Sequence, residues 1–352
     1  MKYRLPVFFG IFYLCATNAS FANRGAFDLE RWDNVISGIR AKAVQQNISK
    51  PVIDEALKSP SIVPGIIKSD KNQSEFTLTL DQYLNRTVSA DRVKNGRKKA
   101  SNYPTMLGRV EHKYGIPRNV ILAFWGMESN YGEVKSKYQL TSAFLTLIYD
   151  GRREEFFTKQ LLSLMKIADK NKLAINDIRG SWAGAMGHFQ FIPTTLSQYG
   201  VDGNGDGRID IINSIGDAMF SAGNYLNKLG WDKNEPIIKK VVLPYDFDRS
   251  VLNGDVKKSF SEWSDMGVTN PDGTPLKQSE TVVGLVADTK AIAQRDLYQP
   301  QSDDDAENAD SDVAPTPVIN AYLTYPNFYR IKKWNNSSWY AIAIGELSEK
   351  LK

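Results

Sequence analysis

The chain has few residues of the types that support thiol, histidine or nucleotide chemistry. Its 352 residues include one cysteine, Cys15, and two histidines, His112 and His188. A single cysteine excludes an intramolecular disulfide and a thiolate metal cluster. The sequence also has neither the G-x-S-x-G elbow of serine hydrolases nor a phosphate-binding loop. We therefore expect both histidines to be structural or groove-lining.

Long apolar runs are absent too, since no segment reaches the roughly 20 apolar residues that a membrane-spanning helix needs. The apolar run Val7–Ala16 is shorter, and its flanks are two basic residues and two small ones: Lys2, Arg4, Ser20 and Ala22. This order predicts a signal peptide over residues 1–22, which would remove Cys15 on export. Leu14 stands where a lipoprotein signal normally has Gly or Ala, which argues against a lipid anchor.

Charge identifies no partner. The net charge is +4, which suits binding to an anionic polymer and equally suits plain solubility. No nucleic-acid partner is expected.

The pattern along the chain predicts a mainly α fold with a small β-rich insertion. Apolar residues at helical spacing predict a helical N-terminal part over residues 23–102 and a helical core over 103–235, in which Pro117 opens one helix and Asn213 caps another. Three short β-branched runs, Ile237–Leu243, Thr281–Val286 and Val318–Thr324, predict strands in a β-rich domain over 236–330. Its segment 299–317 is acidic and proline-containing, which predicts a disordered loop. Residues 331–352 are predicted to form a helix that returns to the core.

One carboxylic acid stands out by its surroundings. Eight uncharged residues precede Glu128 in the helical segment 120–132. Poor solvation raises the pKa of a carboxyl, so Glu128 is a candidate general acid. A structural glutamate paired with Arg or with backbone amides is the alternative that the segment alone leaves open.

Three motifs around this residue carry a family resemblance. They are Met127-Glu128-Ser129-Asn130-Tyr131-Gly132, Ser181-Trp-Ala-Gly-Ala-Met-Gly-His-Phe-Gln190 and Asn327-Phe-Tyr-Arg-Ile-Lys-Lys-Trp334-Asn335-Asn-Ser-Ser-Trp-Tyr340. The first is similar to the catalytic helix of lytic transglycosylases and goose-type lysozymes. Together the motifs resemble the lytic murein transglycosylase B family over most of residues 27–352.

The resemblance implies a lysozyme-like catalytic core with Glu128 as the sole acid/base. It places Ser181 beside that glutamate and makes Gln190, Asn335 and Tyr340 groove residues. A weaker match around Asp81-Gln-Tyr-Leu adds Tyr83. The family usually has Tyr at Trp334, so this chain keeps an aromatic surface there and lacks the phenolic hydroxyl.

The implied activity is non-hydrolytic cleavage of the β-1,4 bond between N-acetylmuramic acid and N-acetylglucosamine in peptidoglycan, giving a 1,6-anhydromuramoyl end. No cofactor is implied for catalysis, the expected location is the periplasm, and cell-wall synthesis or division proteins are candidate partners. Arg152 and Arg153 are candidates for binding the carboxylates of peptide stems. Ordinary ion pairs at a helix start are the alternative.

The segment 202–210 has the opening of a calcium-binding loop, with oxygen side chains at alternate positions. The resemblance implies that Ca²⁺ or Na⁺ is held there by the set Asp202, Asn204, Asp206, Arg208 and Asp217. Asn213 replaces the glutamate expected at the twelfth position, and a tight polar turn is the alternative.

Three other functions stay open at this stage. A lysozyme-type hydrolase would use water and would need a second carboxylate near Glu128. A non-catalytic peptidoglycan-binding protein would need no acid there. A calcium-responsive structural module would depend on the polar loop alone.

Overall fold

The computed structural model describes residues 27–71, 78–134, 136–297 and 318–352. The predicted signal peptide and the predicted acidic loop 299–317 lie outside these residues. The described architecture is mainly α-helical with one four-stranded sheet, as the sequence predicts. No helix in these ranges is long and apolar enough to cross a membrane.

Within residues 27–71 and 78–102, the N-terminal part has five helices: α1 Leu29–Gln45, α2 Lys50–Ala56, α3 Pro64–Lys71, α4 Leu80–Thr87 and α5 Ala90–Asn102. Side chains that accept backbone amides fix where the helices begin. Thr79 accepts the amide of Gln82, whose own side chain accepts the amide of Thr79, so a capping box starts α4. The Ser89 hydroxyl accepts the amide of Arg92 and starts α5.

The core contains α6 Pro104–Tyr114, α7 Arg118–Ser129, α8 Leu140–Asp150, α9 Glu154–Asn171, α10 Pro193–Tyr199 and α11 Ile215–Lys228. Two short antiparallel strands, β1 Tyr138–Gln139 and β2 Arg179–Gly180, pair beside them. The predicted cap of α11 is wrong by one residue. Ser214 is the N-cap and accepts the amide of Asp217, while the Asn213 side chain donates to Asp210.

The β-rich part is one antiparallel sheet of β3 Ile238–Pro244, β4 Asn253–Ser259, β5 Val282–Ala287 and β6 Val318–Thr324, in the order β3-β6-β5-β4. Helix α12 Phe260–Asp265 follows β4, and helix α13 Thr289–Leu297 follows β5. The sequence analysis missed β4, because this edge strand is mostly polar and has a register shift between Asn253 and Lys257. The sheet has its own hydrophobic cluster around Trp263 and Leu285.

Two helices then return to the core, α14 Pro326–Trp334 and α15 Ser338–Lys350. The boundary predicted between residues 330 and 331 therefore falls inside α14. One continuous hydrophobic core joins the N-terminal helices to α7 and α15, from Trp32 to Leu351. Because α15 packs on α7, Tyr340 of this last helix contacts Glu128.

Candidate active site

The backbone turns sharply directly after Glu128. Helix α7 is buried over almost its whole length and ends at Ser129, and its C-cap Asn130 has a φ of +49°. Tyr131 and Gly132 also have positive φ, so three successive left-handed residues reverse the chain. The Ser129 hydroxyl accepts the amide of Gly132 at 2.9 Å and donates to the carbonyl of His188 at 2.7 Å. The turn therefore holds the end of α7 against the motif 181–190.

The Glu128 carboxyl is buried and accepts two hydrogen bonds at one oxygen. Its Oε1 accepts the indole Nε1–H of Trp334 at 2.9 Å and the hydroxyl of Tyr340 at 2.5 Å. Burial raises the pKa of Glu128 to about 7, although the hydrogen bonds from Tyr340 and Trp334 lower it. The carboxyl can thus hold a proton near neutral pH and release it without a large change in free energy.

Trp334 sits in a group of aromatic rings. Its ring centroid lies 4.8 Å from that of Phe124, 4.9 Å from that of Tyr225 and 5.3 Å from that of Phe191. The aromatic surface predicted here is present. The indole N–H of Trp334 also provides a hydrogen-bond donor in place of the phenolic hydroxyl of the Tyr that is usual in the family.

Tyr225 is a site residue that the sequence analysis missed. Its ring stacks on that of Tyr199 at 4.4 Å and contacts Trp334, while burial raises its pKa to about 12. It lies on α11, whose apolar residues were assigned to the core by their spacing. The sequence offered one indication of this role, an aromatic residue beside the apolar residues that α11 turns to the core.

Tyr83 joins the site from α4. It is buried, and its ring centroid lies 5.9 Å from that of Trp339 at the start of α15. Burial and the charge of Glu128 raise the pKa of Tyr83, while the positive charge of Arg92 opposes the shift. Arg92 is buried in α5 and donates to the carbonyl of Thr87, the last residue of α4. A buried cation therefore holds the end of the helix that carries Tyr83.

The motif 181–190 forms a tight loop beside α7. The Ser181 hydroxyl accepts the amide of Ala185 at 3.1 Å, and the Gln190 amide group donates to the carbonyl of Gly187 at 2.8 Å. Gln190 has a φ of +49°, an uncommon conformation for a residue with a side chain. His188 accepts the indole N–H of Trp125 at 3.1 Å. This contact links the loop to α7, and the substrate-binding roles of Ser181 and Gln190 stay predictions.

Asn335 directly follows Trp334 and carries a buried acceptor without a partner. Its side-chain oxygen has no hydrogen-bond donor among the described residues. A buried oxygen without a donor is costly, so native proteins usually satisfy such groups with water or a ligand. Asn335 therefore stays a candidate for binding an amide N–H.

Arg152 and Arg153 lie at the start of α9 and both bind Asp70 of α3. Arg152 donates through Nε to the carboxylate at 2.7 Å and to the Asp70 carbonyl at 2.8 Å. Arg153 binds the other carboxylate oxygen, and Asp70 is buried. The observed contacts are thus the ion pairs that the sequence analysis named as the alternative. A contact with stem carboxylates stays a prediction.

The residues of the predicted ion site form a loop held by its own amides. The buried Asp217 accepts the amides of Gly203 at 2.9 Å, Asn204 at 3.2 Å and Asp210 at 2.8 Å. Asp202 accepts two more loop amides, those of Gly205 and Gly207.

Asn204 and Asp206 also form hydrogen bonds within the same loop. Asn204 accepts the amide of Asp206 and donates to its carboxylate, and Asp206 accepts the amide of Arg208. Within the described ranges, no group of three or more His, Cys, Asp or Glu side chains is placed to hold a metal. These acidic side chains do not form a metal centre in this conformation, and ion binding stays a prediction.

Comparisons with known proteins agree on one family. A family model described as a transglycosylase SLT domain matches residues 31–349. The membrane-bound lytic murein transglycosylase B of Escherichia coli K12 is 28% identical over 270 residues, which are 76% of this chain and 66% of that protein. The chain thus spans just under two thirds of that relative.

Solved structures share the fold. SltB3 from Pseudomonas aeruginosa, in complex with NAG-anhNAM-pentapeptide, is 34% identical with a TM-score of 0.78, and the match covers 91% of this chain and 79% of that chain. The lytic transglycosylase Slt35 of Escherichia coli, in complex with bulgecin A, is 25% identical with a TM-score of 0.71, covering 91% and 92%. The predicted lysozyme-like fold is therefore confirmed, and the chain belongs to the transglycosylase SLT domain family.

Proposed function

We propose that the protein is a peptidoglycan lytic transglycosylase in which Glu128 is the single acid/base. The observation that carries the proposal is the buried Glu128 carboxyl, whose pKa is about 7 and whose Oε1 is held by Trp334 and Tyr340. A general acid works best when its pKa lies near the working pH. The complexes of SltB3 with NAG-anhNAM-pentapeptide and NAG-NAM-pentapeptide support a glycan substrate.

In the first step, protonated Glu128 gives its proton to the glycosidic oxygen between N-acetylmuramic acid and N-acetylglucosamine. The bond from the muramoyl anomeric carbon to that oxygen breaks, and the N-acetylglucosamine chain leaves with a new hydroxyl. The N-acetyl group of the muramoyl residue assists by attacking its own anomeric carbon. Trp334 and Tyr340 stabilise the carboxylate that remains, since both donate to Oε1.

In the second step, the Glu128 carboxylate takes the proton of the muramoyl C6 hydroxyl. The C6 oxygen then bonds to the anomeric carbon, the acetamido oxygen is released, and the 1,6-anhydro ring closes. Glu128 ends protonated, so the step consumes neither water nor a cofactor.

A single carboxyl at the site supports the transglycosylase over a hydrolase, because hydrolytic glycosidases normally use two carboxylates. Glu133, the acid nearest to Glu128 in the sequence, is exposed and accepts the Asn130 side-chain amide at 2.7 Å. In the described part of the chain, burial and two hydrogen-bond donors shift the pKa of Glu128, and no second carboxylate contributes.

The remaining site residues would hold the sugars. The unpaired buried oxygen of Asn335 suits the N–H of an acetamido group, and Ser181, Gln190 and Tyr83 would line the groove. Such a substrate is reached in the periplasm, so export and association with cell-wall synthesis or division proteins belong to the same proposal.

Mass spectrometry of the muropeptides released from purified sacculi tests the proposal. The wild-type protein should release 1,6-anhydromuropeptides, and Glu128→Gln should release none while keeping the same melting temperature at pH 5. Products with reducing ends would instead show hydrolysis. No release by a folded wild-type protein would leave a binding protein.

A further inference from the structure

Tyr329 of α14 reaches onto the four-stranded sheet through its hydroxyl. This hydroxyl donates to the carbonyl of Gly254 in β4 at 2.7 Å. It also lies 2.7 Å from the hydroxyl of Thr324, the last residue of β6. Because a tyrosine hydroxyl has one proton and gives it to the carbonyl, Thr324 is the donor in the second contact. Tyr329 therefore joins α14 to two strands of the sheet.

Two glycines leave the space that this hydroxyl occupies. A Cβ atom at Gly284 of β5 would collide with the Tyr329 hydroxyl and would lie 2.7 Å from Oγ1 of Thr324. Gly254 has a φ of +83°, which residues with a side chain rarely adopt, and it lies within the register shift of β4. A Cβ atom there would lie 3.3 Å from the Tyr329 hydroxyl. The sheet thus has a slot that fits this hydroxyl closely.

Lys257 of β4 holds the ring of Tyr329 in this slot. Its Nζ lies 3.2 Å from the centroid of the Tyr329 ring and donates to the carbonyl of Gly254 at 2.8 Å. An ammonium over the face of an aromatic ring is attracted by the ring quadrupole. The phenol of Tyr329 is therefore held both at its hydroxyl and at its ring face.

A second anchor holds the other side of α14. The buried Asn327 side chain donates to the carbonyls of Asp232 and Glu235 and accepts the amide of Asp232. Because successive residues of an α-helix are turned by about 100°, Asn327 and Tyr329 lie about 200° apart, on roughly opposite sides. The same turn brings Trp334 back to nearly the side of Asn327. Anchors on opposite sides fix the rotation of α14 about its axis.

The rotation of α14 decides whether Trp334 reaches Glu128. The indole Nε1 donates to the Glu128 carboxyl at 2.9 Å. A side-chain atom about 6 Å from a helix axis moves about 1 Å when the helix rotates by about 10°. A movement of this size away from Glu128 would take the two atoms to about 4 Å, beyond the range of a hydrogen bond. A small rotation is therefore enough to remove one of the two donors to Glu128.

We propose that Tyr329 is a positioning residue, which holds α14 in the rotation that places the Trp334 indole on Glu128. The proposal rests on the proposed function for the role of Glu128. It gives the sheet a part in that function, because Gly254, Gly284 and Lys257 hold Tyr329 and reach the carboxyl only through α14.

Titration of Glu128 by NMR tests the proposal without any turnover. In protein that carries ¹³C at the side-chain carboxyls of glutamate, the Glu128 signal is the one missing from Glu128→Gln. Tyr329→Phe keeps the ring and removes the hydroxyl, so the pKa of Glu128 should rise by up to about one unit, the shift that full loss of the indole hydrogen bond implies. Gly284→Ala displaces the hydroxyl from the side of the sheet and should shift this pKa in the same direction. Tyr325→Phe removes another half-buried tyrosine hydroxyl just before α14 and should leave the pKa unchanged.

Combination with Trp334→Phe separates positioning from a general loss of structure. Once Trp334→Phe is present, Tyr329→Phe should change the pKa of Glu128 no further, since the donor that it positions is gone. The same substitution should lower the midpoint of urea unfolding alike in both backgrounds. A pKa that stays in place or falls in Tyr329→Phe would overturn the proposal, and so would an equal further rise in the double variant.

Muropeptide release decides the proposed function separately. With an active wild type, Tyr329→Phe should move the alkaline limb of the pH profile of kcat upward and leave KM unchanged. An alkaline limb that stays in place would contradict the positioning role. A folded wild type that releases no muropeptides would overturn the proposed function, and the titration would still decide whether Tyr329 positions Trp334.

Discussion

Trp334 donates its indole N–H to Glu128 at 2.9 Å, and Tyr340 donates its hydroxyl to the same oxygen at 2.5 Å. Both hydrogen bonds favour the carboxylate, whereas burial of Glu128 favours the neutral acid. The balance leaves the pKa at about 7. Removal of either donor should therefore shift this balance in a known direction.

Trp334→Phe should raise the pKa of Glu128, because it removes a hydrogen bond to the charged form and keeps an aromatic ring. The alkaline side of the pH profile of kcat should move upward by about one pH unit, as the loss of one hydrogen bond to a charged group implies. Trp334→Tyr, which restores the residue usual in the family, should stay closer to wild type.

Trp32→Phe is the matched control for this shift, since Trp32 belongs to the same hydrophobic core but lies in α1. An alkaline limb that stays in place in Trp334→Phe, or moves down, would show that the indole does not hold the carboxylate.

Glu128 should make the protein less stable as the pH rises. Its folded pKa of about 7 lies above the ordinary value of 4.5, so its favourable contribution is fully present below pH 4.5 and is lost as the pH rises through 7. The loss amounts to about 3 kcal/mol, given about 1.4 kcal/mol for each pKa unit. Glu128→Gln should be inactive. Because this variant lacks the titrating carboxyl, its free energy of unfolding minus that of wild type should be about 3 kcal/mol larger at pH 8 than at pH 4.

Urea unfolding at pH 4 and pH 8 measures the difference. Glu133→Gln removes an exposed carboxylate five residues away and should show no such gain. If the two variants respond alike to pH, the carboxyl of Glu128 is solvated in the folded protein.

Arg92→Met should destabilise the protein and weaken substrate binding. The guanidinium donates to the carbonyl of Thr87 at the end of α4, and loss of a hydrogen bond from a charged donor costs about 2 kcal/mol. Because α4 carries Tyr83, KM should rise as well, and Arg92→Lys should recover part of both effects. Lys98→Met, at an exposed position of the same helix, should change neither the unfolding free energy nor KM.

Asp217→Ala should lower the unfolding free energy by about 3 kcal/mol, because three buried or half-buried amides lose their acceptor. The loss should appear in the presence of EDTA as well as calcium, since these amides need the carboxylate as acceptor whether or not an ion is bound. Asp217→Asn, which keeps one acceptor oxygen, should lose less. If the two variants and wild type are equally stable in EDTA, and differ only in calcium, the loop depends on the ion.

The residues of the candidate site could be predicted from the sequence where a motif and a chemical reason coincided. Glu128 has an uncharged neighbourhood along its helix, and the structure gives it the raised pKa that this neighbourhood implies. Helix positions followed from apolar spacing, and strands β3, β5 and β6 followed from short β-branched runs. The polar edge strand β4 did not, since its two buried residues, Gly254 and Ser259, are not large apolar ones.

Beyond the shared site that the family resemblance implied, contacts between distant residues could not be predicted. Nothing local indicates that the indole of Trp334 faces Glu128, which lies 206 positions earlier. In the same way, Arg152 and Arg153 looked available for a ligand, because their partner Asp70 lies 82 and 83 residues away on another helix. Such pairings depend on how whole helices pack, which residue types and spacings do not specify.

The separation of 212 residues between Glu128 and Tyr340 also has a consequence for synthesis. At about 5–20 residues per second, the ribosome adds Tyr340 roughly 10–40 s after Glu128. A nascent chain that ends before α15 leaves the Glu128 side chain open to water, where a carboxyl is an ordinary acid with little proton left at neutral pH. The proposed acid/base activity of Glu128 would therefore be absent from every chain that lacks α15 and would arise only as this helix docks.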